Sequence, residues 1–178
     1  MFDFTVYFWI AAWIGHPFYF LILNFDLLTP LNLPPHPFRI TDEGDKLTLF
    51  DELRKKTIVI TPEEWVRQHF VQYLIGHKNY PKSLIKLEGG HKLHSKQNRS
   101  DIVVFDNTGN KILLVECKAP SVAIDQKVFD QIARYNMVHK IALLAVTNGL
   151  EHYYCVIDFD KKQYRFVEEL PDYGSLRF

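Results

Sequence analysis

Cysteine is scarce: the 178 residues contain two. Cys117 and Cys155 both fall inside apolar runs read as strands. They suit small buried residues of a chain kept in a reducing compartment, and they exclude a disulfide framework. No Cys/His spacing of the kind that holds zinc occurs. No Gly-x-x-x-x-Gly-Lys-Ser/Thr loop occurs, so the chain lacks the sequence of an ATP-binding P-loop. Excess charge is also missing. Lys plus Arg and Asp plus Glu number 21 each, which argues against tight nonspecific binding to a polyanion by net charge alone. Internal repeats and low-complexity runs are absent. What remains, with 47% apolar residues, is enough chain and enough apolar side chain for one domain with a real core.

The first stretch differs from the rest. Residues 4–25 carry no Asp, Glu, Lys or Arg and are dense in Phe, Tyr and Trp. Their length suits a membrane span, but Gly15-His16-Pro17 breaks the run near its middle. A basic leading region and a small-residue cleavage site are both lacking, which argues against a secretory signal. Three readings stay open for residues 1–30: a membrane anchor, an extension outside the functional domain, or a hydrophobic arm packed on the domain or a partner. Pro-rich residues 31–38 read as a stiff connector, and the functional domain is taken as 31–178. The expected location is the cytoplasm, with anchoring through residues 4–25 as the alternative.

Residues 46–50 and 57–60 read as a small hairpin covering an edge of the main sheet. Thr61-Pro62-Glu63-Glu64 opens a helix to about residue 76: Thr61 caps it, Pro62 fits the first turn, and Glu64 completes a capping-box pattern. Trp65, Val66, Phe70, Tyr73 and Leu74 give that helix an apolar stripe. Arg67 is either a phosphate-approaching side chain or a solvated one. A strand over 83–88 and the loop around it carry the dense basic run of the chain: Lys82, Lys86, His91, Lys92, His94, Lys96 and Arg99. As a group these residues suit contact with a nucleic-acid backbone.

The central stretch is Arg99 to Lys118. Residues 101–106 and 111–117 read as two strands joined by Asn107-Thr108-Gly109-Asn110. If Asp106 faces Lys111, Asp101 falls opposite Glu116. Side chains alternate, so Glu116 and Lys118 share one face, and Val115 and Cys117 the other. Two carboxylates directly opposed are destabilising unless something lies between them. A hard divalent cation would serve, Mg²⁺ first and Mn²⁺ as an alternative. The bland alternative is an Asp/Glu/Lys ion-pair cluster with no chemistry. A helix capped by Asp125 then runs to about residue 138, with Val128, Phe129, Ile132 and Ala133 on its core face. Gln131 and Tyr135 lie four apart on one face, with Arg134 as an accessory. Strands follow over 141–146, 153–158 and 163–167.

Asp101, a strand and turn, then Glu116-x-Lys118 resembles the PD-(D/E)XK nucleases. The wider set narrows this. Glu88, Arg99-x-Asp101-Ile102-Val103-Val104, Val115-Glu116-Cys117-Lys118-Ala119-Pro120, Gln131-x-x-x-Tyr135 and Thr147-Asn148-Gly149 resemble the N-terminal nuclease domain of type I restriction enzyme R subunits. The likeness spans roughly residues 61–158. Ser100 stands where the family pattern has Pro, at a position that ligates nothing.

The resemblance implies an α/β fold of restriction-endonuclease type, a mixed β-sheet flanked by helices. It implies a Mg²⁺-dependent deoxyribonuclease, with Asp101, Glu116 and the Cys117 carbonyl on the metal and Glu64 beside it. Lys118 would orient water or stabilise charge. Gln131 and Tyr135 would face nucleic acid or orient the site, and Lys92, Lys96, Arg99 and Arg134 would contact DNA. Partners would be DNA and separate motor or specificity subunits. The alternative is a non-catalytic module that binds nucleic acid or a partner on the same fold.

Overall fold

The structure, a computed structural model, describes residues 28–87 and 101–176, with the backbone alone at 131, 134, 135, 138 and 139. Two sheets and two α-helices make up the described residues. Three short strands, β1 (Ile40–Asp42), β2 (Leu47–Asp51) and β3 (Lys56–Val59), pair antiparallel in sequence order. The expected hairpin is there, extended by β1 and forming a sheet of its own. Its apolar face, Leu47 and Leu49 with Ile60 beyond the strand, packs with Leu28, Phe38 and Trp65.

The main sheet has six strands in sequence order: β4 (Ile85–Leu87), β5 (Ile102–Phe105), β6 (Lys111–Cys117), β7 (Leu143–Thr147), β8 (His152–Asp158) and β9 (Gln163–Val167). All neighbours are antiparallel except β6 and β7. That parallel pair needs a crossover, and helix α2 (Gln126–His139) supplies it. The fold is therefore mixed α/β.

Period-two alternation sorts the two faces. Ile102, Val104, Leu113, Val115, Cys117 and Ala145 point toward Val66, Phe70 and Leu74 of α1 (Pro62–Gly76). Val103, Leu114, Leu144 and Val146 point the other way, toward Ile132, Val128 and Phe129 of α2. Helices on both sides explain why six of the seven β6 residues are buried and why that strand reads as a continuous apolar run. Ala133, expected on the core face, is exposed.

Both helices start as their caps direct. Thr61 Oγ1 accepts the Glu64 N–H at 3.1 Å, and the Asp125 carboxylate accepts from the N–H groups of Lys127 and Val128 at 3.0 and 3.2 Å. At the far end of α2, Asn136 brackets Ile141, accepting its N–H at 2.7 Å and donating to its carbonyl at 2.8 Å. That clamp turns the chain from the helix toward β7.

Among the described residues, no helix is long and apolar enough to cross a membrane. Residues 4–25 lie outside that description.

Candidate metal and phosphate site

The β5–β6 register runs Ile102↔Val115, Val103↔Leu114 and Val104↔Leu113. Continued by one residue, it sets Asp101 against Glu116, as the alternating pattern predicts. The turn end differs. A bulge between Val104 and Phe105 makes Phe105, not Asp106, the partner of Lys111. Asp106 is drawn into the turn: Oδ1 accepts from the Thr108 N–H (2.8 Å), the Thr108 hydroxyl (2.7 Å) and the Asn110 N–H (2.8 Å), and Oδ2 from the Asn110 amide (3.1 Å). Burial alone would raise its pKa. Those donors, the Thr108 hydroxyl first, outweigh burial and hold it at about 2.

Asp101 precedes β5 and is fixed from three sides. Its N–H donates to the Val115 carbonyl at 3.1 Å. Its Oδ2 accepts the Cys117 N–H at 2.6 Å, and its Oδ1 accepts from Arg67 Nη2 at 2.6 Å. Glu116 shares its face with Leu114 and is buried. Its Oε1 takes the Lys118 ammonium at 2.7 Å. Each of the opposed carboxylates thus has a cation of its own: Arg67 on Asp101, Lys118 on Glu116. Burial, and after it the Asp101 charge, push the Glu116 pKa up to about 7, with Lys118 pulling the other way. Burial works against the Lys118 charge, but the Glu116 hydrogen bond and charge outweigh it and raise the pKa. The Cys117 thiol, buried on the opposite face, is pushed far up by burial, so Cys117 offers backbone rather than thiolate chemistry.

Behind Asp101 lies a network that the sequence did not reveal. Arg67 joins Asp101 to Glu63 (2.9 Å) and, by a short contact, to Glu64. Glu64 Oε1 also accepts from Arg54 Nη1 at 3.0 Å and from the Gln68 amide at 2.9 Å. Arg54 and Gln68 both reach the fully buried Asp51 Oδ2, at 3.0 and 2.9 Å. The Thr61 half of the capping box is made, whereas the Glu64 carboxylate is spent on this network. Arg67 is 8% exposed, neither the solvated residue nor the free phosphate contact that its sequence position suggested. Asp101 and Glu64 override the cost of burying it and raise its pKa. The available signal was spacing: Glu63 and Glu64 stand four and three residues before Arg67, where helical neighbours meet.

The Thr147-Asn148-Gly149 turn holds the rear of the site. The Thr147 carbonyl accepts the Lys118 N–H at 2.8 Å. Thr147 Oγ1 accepts the Gly149 N–H at 2.9 Å and lies 2.8 Å from His152 Nδ1. Asn148 ties in the segment after Lys118, donating to the Val122 carbonyl at 3.0 Å and accepting the N–H groups of Leu150 and Glu151. Gly149 has φ +85°, and a Cβ there would meet Leu31 Cδ2 at 2.6 Å. Only glycine fits that position without strain.

Asp101, Glu116, Cys117 and Lys118 are therefore together at one end of the sheet, with Glu64 reached through Arg67. Gln131, Arg134 and Tyr135 sit on α2, which packs on the face that Glu116 shares; their side chains lie outside the description. Glu88, Lys92, Lys96 and Arg99 fall among the residues not described. Among the described residues, no group of three or more His, Cys, Asp or Glu side chains converges on one point. The donor set offered to a cation is two carboxylates and the Cys117 carbonyl. These are hard oxygens, and Asp101 keeps a second lone pair on each oxygen for use. Among the described residues, Asp51, Glu63, Glu64 and Asp101 share Arg54 and Arg67, and Glu116 pairs separately with Lys118. Two facing carboxylates and a backbone carbonyl are the hard-oxygen donors that a divalent ion of this kind takes, so the residues fit the group.

No curated protein matches the chain. A solved structure described as a fragment of an HsdR subunit of a type I restriction enzyme from Vibrio vulnificus YJ016 is similar at 19% identity and a TM-score of 0.34. The similarity covers 49% of this chain and 16% of that one, and at that level it carries no argument. The family model described as the type I restriction enzyme R protein N terminus (HSDR_N) matches residues 62–171, well over half of the chain, from the first residue of α1 past the end of β9. On that match, the chain belongs to the family of type I restriction enzyme R protein N termini.

Proposed function

We propose that this chain is a Mg²⁺-dependent deoxyribonuclease domain of PD-(D/E)XK type, which hydrolyses phosphodiester bonds. The observation that carries the reading is the facing pair Asp101 and Glu116, with Lys118 on the Glu116 carboxylate. Asp101, Glu116 and the Cys117 carbonyl would hold the ion. When bound, the ion polarises a phosphate oxygen and makes water a better nucleophile.

The protein's own residues do the rest. The Cys117 N–H and Arg67 keep the Asp101 carboxylate from turning away. Lys118, fixed at its backbone by Thr147, keeps an ammonium near the reacting phosphate, where it stabilises the charge that builds on five-coordinate phosphorus. Gln131 and Tyr135 would orient substrate from α2, and Lys92, Lys96, Arg99 and Arg134 would steer the DNA backbone. Glu64 would act on the ion through its hold on Arg67. A motor or specificity subunit of a restriction system would be a partner, as the family match suggests.

The test is incubation of the full chain with supercoiled and linear DNA in Mg²⁺ or EDTA. Cutting that requires Mg²⁺ and is abolished by Glu116→Gln supports the reading. A chain that neither cuts nor binds Mg²⁺ would leave the non-catalytic binding module in its place.

A further inference from the structure

Strand β9 ends the main sheet beside β8, and every residue from Lys161 to Phe166 is exposed. Two of them are aromatic: Tyr164 is 71% exposed and Phe166 56%. Exposed apolar rings side by side mark a contact surface. Both lie on the α2 face, opposite Ile157 and Cys155 of β8. The rings of Phe166 and Tyr164 are perpendicular, with centroids 6.1 Å apart. Phe166 meets Phe129 of α2 in the same way at 5.4 Å, and Phe129 meets Tyr153 at 5.7 Å. The rings hold one another in place while much of their surface stays open. Tyr153 links this strip to the candidate site. Paired residues share a face, and Glu116, Val146 and Tyr153 form one row across β6, β7 and β8. Tyr153 thus stands two strand spacings, about 10 Å, from Glu116.

We propose that Tyr164, Phe166 and Tyr153 form a stacking platform for single-stranded DNA, which leads one strand along the sheet toward Asp101 and Glu116. Its part in cleavage rests on the nuclease reading above. Charge selects the occupant. Residues 161–166, Lys-Lys-Gln-Tyr-Arg-Phe, hold three cations and no acid. Lys161 leans on Asp158 of the turn at 3.2 Å, and Lys162 and Arg165 are exposed. Arg165 alternates to the other face, opposite Val156, at the free edge where a phosphate backbone would run. Cations interleaved with aromatic rings match a polymer of phosphates and flat bases. A protein interface instead keeps charge out of its core and at its rim. The step along the strand agrees. Side chains two apart on one face are separated by about 6.8 Å, roughly twice the rise per base of a duplex strand. Bases must therefore be unstacked to cover both rings, and a duplex hides the faces of its bases.

Fluorescence anisotropy of the full chain with labelled oligothymidylate and with a labelled duplex, both in EDTA so that nothing is cut, tests this. Wild type is expected to bind the single strand more tightly than the duplex. Tyr164→Ala and Phe166→Ala should each weaken single-strand binding about 5- to 150-fold, the worth of one stacked base, and Tyr164→Phe should restore it. Lys162→Gln and Arg165→Gln should each lower the slope of log affinity against log salt by about 0.7. Absence of single-strand binding by wild type overturns the proposal, and that result needs no variant to fold. Binding that ignores both alanine variants, with their melting temperatures unchanged, also overturns it; Mg²⁺-dependent cleavage that persists would leave the nuclease reading standing. Binding lost in the alanine variants, with no cleavage by wild type, keeps the platform and overturns the nuclease reading instead. Self-association that Phe166→Ala abolishes, with DNA binding unmoved, makes the strip an interface between copies and overturns the platform.

Discussion

Asp101 Oδ2 accepts the backbone N–H of Cys117 at 2.6 Å, so the carboxylate of one strand is buttoned to the main chain of the next. This bond lies across the hairpin at the level of Glu116. It makes the pose of one proposed ligand depend on the backbone that carries the other. Asp101→Asn keeps the shape and removes the charge, but its amide oxygen can accept from only one of the Cys117 N–H and Arg67, and its NH₂ is turned on the other donor. Cleavage by this variant is expected to fall by roughly 10²-fold or more, with a lower urea unfolding midpoint as well. Cleavage rate and midpoint, measured on the same preparation, check both halves.

Glu64 is bound by Arg54, Arg67 and Gln68. Glu64→Ala removes a carboxylate from between two mostly buried guanidinium groups. Breaking a buried pair by removing one partner costs about 3–5 kcal/mol; the 12% exposure of Glu64 puts this site at the lower end. Glu64→Gln, which still accepts from one arginine, should lose less. Urea titration of the two variants gives the difference, and equal losses would count against the network.

Gly149 answers two demands at once, a positive φ and a close approach to Leu31. Gly149→Ala should cost about 2 kcal/mol or more, from the left-handed backbone and the overlap together. Loss of the Lys118 anchor at Thr147 should follow, so activity should drop beyond what the unfolded fraction explains. Thermal melting and specific activity are the readouts.

His152 carries the pH prediction. Its Nε2 lies 2.8 Å from the Asn32 carbonyl and so donates, while Nδ1, 2.8 Å from the Thr147 hydroxyl, accepts. That fixes the neutral ring. Burial lowers its pKa below the ordinary histidine value of 6.5, with the Asn32 contact opposing. The unfolded chain therefore binds the proton first as pH falls. The stabilisation is whole above pH 6.5 and declines below it, through the lowered folded value. His36 and His69 shift the same way, so the His152 share is the difference between wild type and His152→Gln. Unfolding at pH 7.5 and 5 should show wild type losing more stability than the variant.

The Asp101–Glu116 pairing was legible because Ile102, Val103, Val104, Leu113, Leu114 and Val115 alternate between two buried faces, and a one-residue slip would put every one of them wrong. The other end of the same hairpin was not legible. Asp106 chose the turn's N–H groups over a place opposite Lys111, and local side-chain bonding leaves no trace in hydrophobic period. Lys118 was legible from spacing. Arg67, Arg54 and Asp51 were not, because an ion-pair network that closes between a short sheet and a helix depends on tertiary approach. The three-residue β1 was missed for a simpler reason: ITD is too short to show a period.

The most direct test separates holding the metal from using it. Mg²⁺ binding and DNA cleavage would be measured on the same samples of wild type and Lys118→Ala. Lys118 touches Glu116 but lies outside the proposed donor set. The variant should therefore still bind Mg²⁺ and lose cleavage by roughly 10²–10³-fold, the loss typical of one preorganised charge-stabilising group. Cleavage that persists at the wild-type rate in Lys118→Ala would contradict the account.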